Sequence, residues 1–305
     1  MKTARRLGIA FAILLLGAIG IGFHLLGSEA VPATSEYEID LAELRDHALG
    51  ASGDLPNQVR YETIAIGRLP RGLIMAGEGF APVEMPRPVF QVLYPDGRFI
   101  LIDSAYDRSL HEVAFPEQPF FDRAWERLVV AMQEATQIVV THEHSDHLGG
   151  IAKHPRVDRL AKNLRLTVEQ IENPREIDAE LPKTLIERID ALRYEDMLAI
   201  APGVVLKKAA GHTPGSQMIF VKLASGEEML FVGDVVWNED AITELKYRPR
   251  LVTDLFLGED RRAVLHQIRA LRDLDDAGGV SIVVSHDART YESANLEEGF
   301  ALSGE

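Results

Sequence analysis

Residues 139–150 read VVTHEHSDHLGG, and six consecutive positions in that segment hold His142, His144, Asp146 and His147. The whole chain has 10 histidines in 305 residues, so three of them here mark a local demand. The segment follows QIVVT (137–141), a short β-branched run that reads as a buried strand. His142 and His144 are two apart and face the same way in extended backbone. Asp146 and His147 lie on the turn beyond, where a helix is expected from Leu148. Imidazole and carboxylate suit zinc, iron or manganese. One zinc takes about four ligands at roughly 2.0–2.2 Å, so side chains this crowded serve two ions more easily than one. The segment is not the helical His-Glu-x-x-His motif, because its fifth position is Asp146. A fold that uses it must therefore bring further ligands to the end of a strand.

Three later segments offer them. AAGHTPGSQ sets His212 in a Gly/Pro loop after the strand VVLKKAA (204–210). FVGDVVW ends a buried apolar strand on Asp234, where an unpartnered carboxylate is costly. VVSHDAR places His286 after the strand VSIVVS (280–285). The texture around them mixes strands and helices. PVFQVLYPDGRFILIDS (88–104) predicts a hairpin about Pro-Asp-Gly, and QMIFVKLASGEEMLFVGD (217–234) a second about Ser-Gly. Helical spacing of apolar residues predicts helices over 122–135, 158–172, 183–194 and 260–275, with a short one near 40–49. The stripe Leu185, Ile186, Ile189 and Leu192 is expected to pack into a core. The stretch 67–88, rich in Gly and Pro, is expected to be a loop that touches ligand. His24, His47, His111, His154 and His266 read as surface or core histidines, and Lys246, Arg248 and Arg250 as a solvated charged loop.

Lys2, Arg5 and Arg6 precede an apolar run from Leu7 to Leu26. About 20 such residues can cross a bilayer, more than the roughly 7–15 of a secretory core. The expectation is a membrane anchor over residues 1–30, or a signal peptide cut after Ala30. Basic residues before the run and acidic ones after it place the remainder outside the cytoplasm, in the periplasm or beyond the cell. Residues 31–60 read as a linker with a short helix, and 61–305 as one catalytic domain. A net charge of −15, from 47 acidic and 32 basic side chains, argues against nucleic acid as partner and leaves a small molecule as the expected substrate. The chain has no cysteine, so neither thiolate ligand nor thiol nucleophile is available.

His-x-His-x-Asp-His, then Gly-His-Thr-Pro-Gly, then Gly-Asp after a strand, then a late Ser-His, resembles the metallo-β-lactamase superfamily from residue 89 to 287, about two thirds of the chain. The resemblance implies an α+β fold, the αββα four-layer sandwich of two mixed sheets with outer helices. It implies two divalent ions, zinc foremost, with iron or manganese as alternatives. His142, His144 and His212 would hold the first ion, Asp146, His147 and His286 the second, and Asp234 would bridge them. Asp103, in LIDS, matches a family element that stands behind the ligands. Two dications against two aspartates and one hydroxide leave about one positive charge for a developing oxyanion.

The implied activity is hydrolysis by a bridging hydroxide, with Asp234 as bridge and Asp146 also passing a proton to the leaving group. The spacing is most similar to N-acyl homoserine lactonases and related esterases, so an ester or lactone is the expected substrate. Those enzymes carry tyrosine shortly after the bridging aspartate; here Trp237 stands third after Asp234, and Tyr194 or Tyr247 would have to replace it. True β-lactamases of the superfamily lack the bridging aspartate. Thioesterases of the glyoxalase II type share all seven ligands but end in a helical domain, and only 19 residues follow His286. A thioester or phosphoester remains the alternative bond. A mononuclear iron sulfur dioxygenase, with His142, His212 and Asp234 as ligands, remains the alternative class, and a non-catalytic exported metal-binding module the third.

Overall fold

Along QMIFVK (217–222) both faces of the strand are apolar, and the structure shows why. Met218 and Phe220 pack outward against helices, while Ile219 and Val221 pack inward against a second sheet. The computed structural model describes residues 16–17, 19–173 and 180–303. One sheet takes β1 (Gln58–Pro70), β2 (Pro82–Leu93), β3 (Phe99–Ile102) and β4 (Gln137–Val139). The other takes β5 (Met197–Ala201), β6 (Val204–Lys208), β7 (Gln217–Lys222), β8 (Glu228–Phe231) and β9 (Ser281–Val283). A short β10 (Glu297–Glu298) returns to the first sheet beside β1, giving the orders β10-β1-β2-β3-β4 and β5-β6-β7-β8-β9. Both sheets are mixed: β4 runs parallel to β3, and β9 parallel to β8, while the hairpin neighbours are antiparallel.

Side-chain alternation then builds four layers. Ile100 and Ile102 face Ile219, Phe231 and Val283 between the sheets, and Phe99 and Leu101 face the outer helix α2 (Asp122–Glu134) through Leu128 and Met132. On the far side, α1 (Leu41–Gly50) and α4 (Arg261–Ala277) cover the second sheet with Leu44, Val264, Ile268 and Leu271. This is the αββα sandwich expected above. The stretch expected as linker before α1 lies along the outer layer, where Ser35 Oγ donates to His266 O at 2.7 Å and Tyr37 OH to Lys208 O at 2.7 Å.

Two expectations are corrected. Half of 67–88 is strand, because β1 runs to Pro70 and β2 starts at Pro82. Proline is admitted because β3 covers only Phe90–Leu93 of β2. Tyr94 N donates toward β3, so Pro82, Pro86 and Pro88, which share its parity, lack their N–H on the side that β3 leaves open. The helices predicted over 158–172 and 183–194 shrink to Val157–Arg159, Val168–Glu172 and Lys183–Ile186. Here the backbone is drawn to the sheet edge: Ile138 N donates to Asn163 O at 2.8 Å, and Arg165 N to Ile138 O at 2.9 Å. Thr167 and Gln170 then restart the helix with a capping box. Leu185 is buried as expected, with Ile186 and Ile189 against the same cluster. Among the described residues no helix is long and apolar enough to cross a membrane. Residues 1–15 and 18 of the expected anchor lie outside the described residues.

Candidate metal centre

The ends of β3, β4, β8 and β9 and the β6–β7 turn lie along one edge of the sandwich, and each delivers a site residue. Asp103 ends β3 with φ 65°, a left-handed backbone. Its Oδ1 accepts Thr141 N at 2.6 Å, and its Oδ2 accepts His147 Nδ1–H at 2.8 Å. The chain after β4 carries His142 and then turns into α3 (Ser145–Ala152), capped by His144. Gly150 explains the Gly-Gly of the motif. A Cβ there would stand 1.9 Å from Ser104 O, so only glycine lets α3 approach the end of β3. Glu143 points away from the ligands and straps the His212 loop, accepting Thr213 Oγ1 at 2.7 Å and Gly215 N at 3.1 Å.

Two clusters result. His144 Nδ1 is 3.0 Å from His142 Nε2 and 2.9 Å from His212 Nε2. Asp146, His147 and His286 form the other, their ligand atoms within 4.8 Å of one another. Asp234 sits between. Its Oδ2 lies 3.5 Å from His212 Nε2 and 3.9 Å from His142 Nε2, while its Oδ1 lies 3.1 Å from His286 Nε2 and 3.3 Å from His147 Nε2. All seven residues singled out in the sequence are brought together, and all are buried except Asp146, whose side chain is 18% exposed.

Outer partners orient the rings. Nδ1–H of His212 donates to Glu259 Oε1 at 2.5 Å, and Nδ1–H of His286 to Pro86 O at 2.8 Å. With Asp103 on His147, these bonds leave Nε2 of all three rings as lone-pair donors. Burial, reinforced by the neighbouring imidazoles, pushes His142 well below its usual value and His144 down to about 3. Burial would raise the Asp234 carboxyl, but His286 and His147 outweigh it and hold it well below the usual range. Burial likewise raises Asp146, and His147, Arg87 and His286 overcome it. Burial lowers His147, and Asp103, Asp234 and Asp146 more than reverse that.

The donor set fits a pair of metal ions. Ligand nitrogens about 2.05 Å from a tetrahedral zinc stand roughly 3.3 Å apart, close to the spacing in the first cluster. His147 Nε2 and Asp234 Oδ1 are buried with no hydrogen-bond partner, a cost that a cation between them would remove.

Several residues escaped the sequence reading. Arg87 is buried beside the second cluster, with Nε 2.8 Å from Asp146 Oδ2 and Nη1 3.2 Å from His286 Nδ1. Glu259 holds His212 and is itself bound by Arg248 Nη2 at 2.6 Å. Burial raises its carboxyl, but Arg248 foremost draws it down to about 2. Arg248 is therefore no solvated loop residue: it is 1% exposed. Lys246 and Arg250 are each bound by carboxylates, Glu78 and Glu29 among them. Neither candidate tyrosine reaches the ligands. Tyr194 binds Gln217, and Tyr247 binds Glu259 from behind. Trp237 takes the place instead, with Nε1–H donating to Asp234 Oδ2 at 2.7 Å.

A four-layer sandwich with two His/Asp clusters at one edge defines a metal-dependent hydrolase. The profile of the metallo-β-lactamase superfamily matches residues 86–286, and the chain belongs to that superfamily. Solved structures share the fold. A quorum-quenching N-acyl homoserine lactone lactonase aligns at TM-score 0.61 and 16% identity, over 79% of this chain and 97% of that one. An N-acyl homoserine lactone hydrolase with N-hexanoyl-L-homoserine at its catalytic metal centre aligns at TM-score 0.60 and 16% identity, over 78% and 96%. The dizinc lactonase AidC aligns at TM-score 0.54 and 13% identity, over 79% and 92%. No curated protein matches the chain by sequence.

Proposed function

We propose that this chain is a dinuclear zinc hydrolase of esters or lactones. His142, His144 and His212 hold one ion, Asp146, His147 and His286 the second, and Asp234 joins them. The observation that carries this is Asp234, whose two oxygens address two separate groups of imidazole nitrogens. When bound, the ions supply a hydroxide at neutral pH and polarise the carbonyl under attack. The protein's own residues do the rest. Glu259, Asp103 and Pro86 O keep the rings in the tautomer that donates through Nε2. Asp146, the most exposed ligand and ionised at neutral pH, accepts a proton at its carboxylate and returns it to the leaving alcohol.

A neutral acyl substrate is supported by the cavity of about 400 Å³ that adjoins His286. Ile66, Val83 and Pro86 give it apolar walls, and its arginines, Arg71 and Arg289, are already bound by Asp240 and Asp287. Among the described residues, no free cation lines that wall to invite a phosphate. Two of the lactonase neighbours, a hydrolase with product at its catalytic metal centre and a dizinc lactonase, support the same reading. We further place the catalytic domain outside the cytoplasm, held by residues 7–26 as an anchor or released by cleavage after Ala30.

The test is a hydrolysis panel on the zinc-loaded protein: an acyl lactone, an aryl ester, a thioester, a phosphodiester and a β-lactam, each with and without chelator. Chelator-sensitive turnover of the lactone or ester far above the rest is expected. Silence on both would overturn the reading. Asp234→Ala is expected to fold, to lose metal and to lose all turnover; full activity in that variant would remove Asp234 from its role.

A further inference from the structure

Most of the large apolar side chains that stand in solvent, among the described residues, belong to three segments that touch one another. These are the helical residues 19–26, the turn around Phe80, and residues Leu251–Leu257. Phe23 and Phe80 are each 79% exposed, and Phe256 is 76% exposed beside Leu255. Arg250 N donates to Gly27 O at 3.0 Å, and Ala76 N to Tyr247 O at 2.9 Å, which joins the three segments through residues 247–250. Between the helix and Ala76–Gly77 lies an apolar cavity of about 660 Å³. The remaining exposed apolar residues, such as Leu49 and Val130, lie on other elements. Such scatter is ordinary, whereas one contiguous patch marks an interaction surface.

We propose that this face rests on a lipid bilayer, so that the metal centre works at a membrane surface. The inference rests on residues 7–26 being a membrane anchor, and goes beyond it by orienting the catalytic body. Gly27, the residue directly after the last apolar residue Leu26, already makes a backbone contact with the body. With no free linker, the body cannot stand away from the membrane that holds the run. The exposed tip is also firmly based. Val252 and Thr253 are buried, Glu259 N donates to Thr253 O at 3.0 Å, and Gly258 turns the chain back at φ 64°. Of its flanks, Glu259 accepts from His212 and Arg248 donates to Glu259 and to Asp234 O, so the tip and the candidate metal centre share one scaffold.

Charge agrees. The chain carries −15 overall, but the acidic side chains Glu29 and Asp254 of this face are paired with arginines. Arg250 and Arg261 bind both Glu29 and Asp254. Phe80, Leu255 and Phe256 therefore meet an anionic bilayer without uncompensated carboxylates beside them, and apolar side chains at that depth are the interfacial pattern.

The absence of native cysteine makes the test direct. Phe80→Cys, Leu255→Cys, Phe256→Cys and, as control, Leu49→Cys are made in the full chain, each labelled with an environment-sensitive fluorophore. Leu49 ends α1, which meets Gly203 at the end of the second sheet away from the ligands. The labelled proteins are reconstituted in phosphatidylethanolamine vesicles with a minority of phosphatidylglycerol, and flotation is measured first. The expected result is co-flotation, with a blue shift and quenching by doxyl-labelled lipid at 80, 255 and 256 and neither at 49. Co-flotation with water-like emission at 80 and 256 would overturn the orientation while leaving the anchor intact, and would hand the patch to a protein partner. Failure to float would overturn anchor and orientation together. None of these outcomes depends on the hydrolysis panel.

Discussion

Trp237 holds Asp234 from one side, and Arg248 closes over its ring at 4.7 Å while donating to Asp234 O at 3.0 Å. The carboxylate that faces both clusters thus has its angle set by an indole and a guanidinium. Removing such an outer hydrogen bond typically costs about 10–100-fold in metal affinity or activity. Trp237→Phe, which keeps the packing and loses the N–H, is expected to show that loss in competitive zinc titration with an unchanged circular dichroism spectrum. The seven candidate ligands were legible in the sequence because each follows a strand or sits in a Gly/Pro loop, signals read within a few residues. Arg87 and Glu259 were not. Arg87 lies inside a strand, in Pro-Arg-Pro, and Glu259 is 47 residues from the histidine it orients. Nothing local distinguishes either from a surface charge.

Between elements, the approach of α3 to β3 depends on one absent side chain. Gly150→Ala puts a methyl group against the Ser104 carbonyl, and helix displacement follows because backbone cannot yield as a side chain tip does. Overpacking of this kind costs about 1–3 kcal/mol. The expected outcome is a lower melting temperature together with weaker metal retention, since Asp146 and His147 ride on the first turn of that helix. A second link ties α1 to β8, where Arg45 and Lys222 donate to Glu228 at 2.7 and 2.6 Å. Burial pushes the Glu228 carboxyl up, and the hydrogen bonds from Arg45 and Lys222 outweigh it and hold it below 4.5. A depressed carboxyl stabilises the fold above its unfolded value, and that contribution disappears as pH falls through the folded one. The melting temperature is therefore expected to fall as pH drops below about 4.5, and Glu228→Gln to fall less steeply over the same range. The strands β3, β4 and β6 to β9 and the long helices α2 and α4 were readable from their periods, whereas β1 and the start of β2 were not. The helices expected over 158–172 and 183–194 were not, because the edge of β4 competes for their backbone.

At the scale of the whole molecule, the candidate ligands come from both halves of the sandwich. His142, His144, Asp146 and His147 follow β4 in one sheet, while His212, Asp234 and His286 follow strands of the other. Metal bound there would crosslink the sheets and bind the folded state alone. A free-ion concentration about a thousandfold above Kd stabilises by roughly 4.1 kcal/mol. Chelation is expected to lower the melting temperature by several degrees and zinc to restore it, read by differential scanning fluorimetry. A melting curve indifferent to both would speak against a structural coupling of the two sheets through the site.

By itself the sequence determined most strand periods, the types and order of the candidate ligands, and hence the family and the four-layer fold, because those signals are local. Tertiary structure alone decided which oxygen of Asp234 faces which cluster. It also decided that Arg87, Trp237 and Glu259 stand around the candidate ligands, and that Arg250 and Ala76–Gly77 meet the end of the N-terminal apolar run. Those relations join residues tens to hundreds of positions apart. They exist only once the sheets have closed on each other and excluded the water that would otherwise satisfy each group separately.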